Sequence, residues 1–65
     1  MKREHEETLE KLIDAYSLEE ILDAIANICY EKAQHLRSAW QDPESAKTWE
    51  QDGKKIEQVS RRVAS

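Results

Sequence analysis

Two residues of this chain have side chains of the types that bind metals and lie about one helical turn apart. Glu31 and His35 lie four positions apart, so a helix would present the carboxylate and the imidazole on one face. The di-iron bundle motif is Glu-x-x-His on each of two helices, whereas the spacing here is one residue longer and occurs once. We therefore favour a hydrogen bond or ion pair between Glu31 and His35 and predict no cofactor. A metal shared across a symmetric dimer is the alternative.

Cys29 is the only cysteine, which excludes a disulfide within the chain. It falls on the apolar side of a predicted helix, which favours a small buried side chain. A reactive thiol would need an electropositive and partly exposed setting. The sequence also contains no glycine-rich phosphate loop, no zinc-ligand spacing and no serine–histidine–acid arrangement at a turn. We predict that the protein is not an enzyme.

Four aromatic side chains could together line a ligand pocket: Tyr30, His35, Trp40 and Trp49. Such residues more often cap the end of a small core, with the indole N–H and phenol O–H directed to water. Both interpretations remain open from the sequence, and we favour packing at the end of the core.

Helices must position all of these residues, because the chain is rich in helix formers and has one glycine and one proline. Periodicity predicts a single domain, 1–65, with helices over about 3–16, 18–41 and 43–63. The fold class is all-α: an antiparallel hairpin of two longer helices plus a shorter N-terminal helix, assembling into a symmetric bundle.

Local signals mark the two helix boundaries. Ser17 with Glu20 forms a capping box that begins the second helix, although no glycine or proline excludes a continuous helix through this point. Asp42 and Pro43 suit the cap and the first position of the third helix. The short connection makes the second and third helices antiparallel neighbours.

The apolar residues of the second and third helices recur at intervals of three and four, as on one helical face. Gly53 lies within the apolar stripe of the third helix, and the stripe continues in phase on both sides of it. This continuity favours a close helix–helix approach over a kink. The predicted interaction residues are Leu18, Ile21, Leu22, Ile25, Ile28, Cys29, Leu36, Trp40, Trp49, Ile56 and Val59.

The net charge is −4 and is unevenly distributed. Residues 1–27 carry eight acidic and three basic side chains, which argues against nucleic-acid binding. No apolar run approaches the ~20 residues of a membrane span. A charged N-terminal segment without an export signal, together with a lone thiol, predicts a cytoplasmic protein.

The stretch from Ile28 to Asp42, followed by Ala46-Lys47-x-Trp49-Glu50, resembles a group of small uncharacterised bacterial helical proteins. The resemblance covers residues 28–50 and implies a short bacterial protein. It assigns no activity to any residue.

The function that these patterns favour is a helical protein–protein interaction or regulatory module that self-associates as a dimer. The apolar face of the second helix is wider than one short neighbouring helix can cover. A protein partner is the other possible cover. The alternatives are an acidic inhibitor that blocks a basic partner and a small metal- or ligand-binding bundle.

Overall fold

The computed structural model describes residues 1–64, with side chains described through Val63. It contains three helices: α1 (Arg3–Ala15), α2 (Leu18–Ser38) and α3 (Pro43–Ala64). α2 and α3 pack along each other as an antiparallel hairpin, and α1 makes few contacts with it. The predicted fold class, a hairpin of two longer helices with a shorter N-terminal helix, is confirmed.

α1 and α2 are separate helices. The sequence had left open whether they form one continuous helix. The hydroxyl oxygen of Ser17 accepts a hydrogen bond from the backbone N–H of Glu20 at 3.1 Å. This bond satisfies one of the N–H groups that have no partner at the start of a helix. α1 therefore ends at Ala15, and α2 begins at Leu18 as a separate helix.

α2 ends at Ser38, three residues before the predicted end at 41. Gln41 has a φ of 49°, in the left-handed region that reverses the chain direction. The N–H of Asp42 then turns back to the carbonyl oxygen of Leu36 at 3.0 Å. Asp42 also caps α3, because its Oδ1 accepts from the N–H of Ser45 at 3.2 Å. Trp40 consequently lies in the turn and not on α2.

Small residues form the contact between α2 and α3. The buried residues are Ala26, Cys29 and Ala33 on α2 and Ala46, Gly53 and Ser60 on α3. Those on α3 recur every seven residues, which keeps them on one line along the helix. We call these six residues the seam. Small side chains allow the two backbones to approach closely, and the predicted role of Gly53 in a close approach is confirmed.

The large apolar residues lie beside the seam and remain accessible to water. Among residues 1–63, no large side chain is fully buried. Leu18, Ile25 and Ile28 are exposed, and Leu22 and Leu36 are half-buried. The fully buried contact between the helices is therefore a narrow line of small residues, and the large side chains described along it are at most half-buried.

Candidate functional site

The candidate functional site is one long side of the hairpin. On both helices, the large apolar residues are displaced from the seam in the same rotational direction. Because the helices run antiparallel, these residues lie on the same side of the hairpin. Their exposed fractions include 49% for Ile28 and 36% for Trp49. We call this surface the apolar face. It comprises Leu18, Ile21, Ile25, Ile28, Leu36, Trp49, Ile56, Val59 and Val63.

Most of the predicted interaction residues belong to this surface, and three do not. Cys29 lies in the seam and is buried. Leu22 lies close to the seam and is half-buried. Trp40 lies in the turn with 70% of its surface exposed. Val63 was not among the predicted residues, although it continues the three-and-four spacing from Ile56 and Val59.

A groove of about 410 Å³ opens in the apolar face near the turn. Its lining is mainly apolar, and Ile28, Leu36 and Trp49 form its walls. Lys32 places its ammonium group 5.5 Å from the centre of the Trp49 ring. A cation at this distance from an aromatic ring is attracted to it, so Lys32 and Trp49 tie α2 to α3 at this point.

His35 pairs with Trp40, so the predicted hydrogen bond or ion pair between His35 and Glu31 is wrong. The indole Nε1–H of Trp40 donates to Nε2 of His35 at 3.0 Å. The two rings meet edge to face, with centroids 6.5 Å apart. Glu31 lines the groove together with His35. Among the described residues, no group of three or more metal-ligating side chains comes together.

The four aromatic side chains that could have lined a ligand pocket are only partly brought together. His35 and Trp49 share the groove, and Trp40 reaches it through its hydrogen bond to His35. Tyr30 packs elsewhere, with its ring against Gly53. Partial burial and the neighbouring carboxylate of Glu57 raise the pKa of the Tyr30 hydroxyl.

The opposite side of the hairpin is polar. Arg37 donates a charged hydrogen bond to Glu50 across the two helices, and this bond lowers the pKa of the Glu50 carboxyl. The hydroxyl of Ser60 donates to Asp23 at 2.6 Å, also across the helices. Sequence reasoning missed both contacts, because it paired charges only within a helix. The two sides of the hairpin thus differ sharply in chemistry.

Comparison of the chain with known protein families, with curated proteins and with solved structures finds no match. The resemblance to small bacterial proteins therefore stays a prediction, as does the acidic-inhibitor alternative. None of the described helices is both long enough and apolar enough to span a bilayer.

Proposed function

We propose that this protein is a self-associating helical interaction module in which a second copy of the chain covers the apolar face. The observation that carries the proposal is the exposure of large apolar side chains along one side of a hairpin whose buried seam contains only small residues. Contiguous exposed apolar surface of this kind is typical of an interface.

The solvent-accessible surface area is larger than expected for a compact monomer, which supports an interface with a partner. The solvent-accessible surface of the chain is 5390 Å². A compact monomer of this size exposes about 4,300 Å², so about 1,100 Å² is in surplus. A specific interface buries about 800 Å² on each partner. The surplus is therefore large enough for one stable interface.

The shape agrees with the area. The radius of gyration is 13.5 Å, whereas a compact domain of this length has a radius of about 10.7 Å. Two hairpins stacked through their apolar faces form a four-helix bundle, in which large side chains from both copies fill the centre. The polar sides, with Arg37, Glu50 and Asp23, then face water.

The experiment that tests the proposal is a measurement of molar mass by light scattering over a wide concentration range, with two matched variants. Asn27 and Ile28 are adjacent and exposed on α2, but Asn27 lies on the polar side, in a shallow pocket with Asp23, Glu57 and Arg61. Ile28→Lys should convert the dimer to a monomer, because it places a charge in the apolar interface. Asn27→Lys should remain a dimer.

A wild-type chain that stays monomeric at high concentration would contradict the proposal. So would equal behaviour of the two variants. Circular dichroism at the same concentrations shows whether each variant keeps its helices, so that unfolding is not mistaken for dissociation.

A further inference from the structure

The helix α1 has an apolar stripe that its own chain covers only in part, since Leu9 and Ile13 are half-buried and Leu12 is exposed. Leu9, Leu12 and Ile13 recur at helical spacing, and Leu12 is 41% exposed. Every residue of α1 is described, and none of them is buried. An isolated helix of this length is marginally stable in water, so α1 needs a surface to pack on.

α1 extends away from its own hairpin and makes only a few contacts with α2. The chain measures 37 × 30 × 15 Å along its principal axes. α2 and α3 account for the longest dimension, since a helix of about 22 residues is about 33 Å long. Two packed helices are only about 20 Å wide with their side chains. The remaining extent shows that α1 projects from the hairpin.

The C-terminal part of α3 offers an apolar strip bordered by basic residues. Val59 and Val63 are 47% and 43% exposed. Lys55 and Arg62 lie four residues before and three residues after Val59, so both border it on the helix surface. These two valines belong to the apolar face and form its end at the C-terminal part of α3, where stacked hairpins need not cover them.

The charges of α1 and of this part of α3 are opposite. Residues 3–15 carry five acidic and two basic side chains, whereas residues 54–62 carry four basic and one acidic side chain. Glu6 and Glu10 flank the apolar stripe of α1 on one side. An apolar stripe bordered by carboxylates therefore matches an apolar strip bordered by cations.

We propose that α1 is an exchanged arm, whose Leu9, Leu12 and Ile13 pack against Val59 and Val63 of a second copy. Glu10 then faces Lys55 of that copy. The inference rests on the proposed self-association and adds that each arm crosses to its partner, which extends the four-helix bundle of the two hairpins to a six-helix assembly. By symmetry, the same contact forms twice in each dimer.

A charge exchange tests the polar part of this contact. Glu10→Lys should weaken the dimer by about threefold to fivefold, because it places two cations together at a partly exposed site. Lys55→Glu in the same chain should restore the affinity. Unchanged dimer affinity in Glu10→Lys, or no recovery in the double variant, would overturn the proposed pairing.

Disulfide trapping tests the exchange itself. All variants are full-length and carry Cys29→Ala, which removes the natural thiol at little cost in packing. Chains with Leu12→Cys are mixed with chains with Val59→Cys, equilibrated while reduced, and then oxidised. Chains with Lys47→Cys, at the other end of α3, replace Val59→Cys as the control. We expect several times more mixed disulfide with Val59→Cys than with Lys47→Cys.

The molar mass of the unoxidised protein in solution distinguishes failure of the exchanged arm from failure of self-association. Equal yields of mixed disulfide from a chain that is dimeric by light scattering would overturn the exchanged arm and leave self-association standing. A chain that is monomeric throughout would overturn self-association and the arm with it.

Discussion

The ring of Tyr30 occupies the space where a side chain at Gly53 would begin. A β-carbon built on Gly53 lies 3.0 Å from Cε1 of Tyr30 and 3.3 Å from Cβ of Cys29. Cε1 of Tyr30 can move with its ring, whereas Cβ of Cys29 is fixed to the backbone of α2. The closest approach of the two helices therefore depends on a residue without a side chain.

Replacement of Gly53 by leucine should lower the free energy of unfolding by about 2–3 kcal/mol, because the larger residue forces the helices apart. Lys54→Leu is the matched control, since it changes the next residue at an exposed position. Urea denaturation followed by circular dichroism, at one protein concentration, measures both. Equal stability of the two variants would show that the seam is not tight at this point.

Gln41 should be replaceable by glycine with a gain in stability. Its φ of 49° costs energy for a residue with a β-carbon. Gln41→Gly should raise the free energy of unfolding by about 0.5–1 kcal/mol. Gln51→Gly, inside α3, should lower it by a similar amount because glycine is a poor helix former. Thermal unfolding of the two variants should shift in opposite directions, and a shift in the same direction would contradict the turn geometry.

Ser17 should contribute to stability as the cap of α2. Ser17→Ala removes the acceptor for the Glu20 N–H and should cost about 1 kcal/mol. Thr8→Ala is the control, because the Thr8 hydroxyl bonds back to the Glu4 carbonyl within an exposed part of α1. Chemical denaturation should show a loss for Ser17→Ala and none for Thr8→Ala. A loss in both would mean that Ser17 has no special role.

The Arg37–Glu50 pair should make the free energy of unfolding depend on pH in the acid range. The hydrogen bond from Arg37 holds the pKa of Glu50 below the ordinary value of 4.5. Because the folded-state pKa is lowered, this contribution to stability is complete above the unfolded-state value and is lost as the pH falls through the folded-state value.

Glu50→Gln should therefore be less stable than the wild type at pH 7, and the difference should shrink as the pH falls below 4.5. In an Arg37→Gln background, the same substitution should have little effect at either pH. Denaturation curves of the four chains at neutral and acid pH form the double-mutant cycle. A pH-independent difference between Glu50→Gln and wild type would exclude an electrostatic origin.

Local signals in the sequence were sufficient where a boundary depends on neighbouring residues. Ser17 and Asp42 cap helices through bonds to residues three positions away, and such bonds can be recognised from spacing. The end of α2 was predicted three residues too late, because nothing local marks Gln41 for the left-handed region. The pairings of His35 with Trp40 and of Arg37 with Glu50 were missed because each partner lies beyond the helix or across the hairpin.

The sequence by itself determined which segments are helical, that α2 and α3 run antiparallel, and that their apolar residues share one broad face. The tertiary structure separated α1 from α2. The tertiary structure alone decided which part of that face is buried. Close approach of two helices favours positions where side chains are small, so Ala26, Cys29 and Gly53 take the seam. Periodicity reports only which residues share a side of a helix, and the choice between small and large neighbours on that side depends on how near the second helix comes. Ile28 and Val59 were left at the surface for this reason.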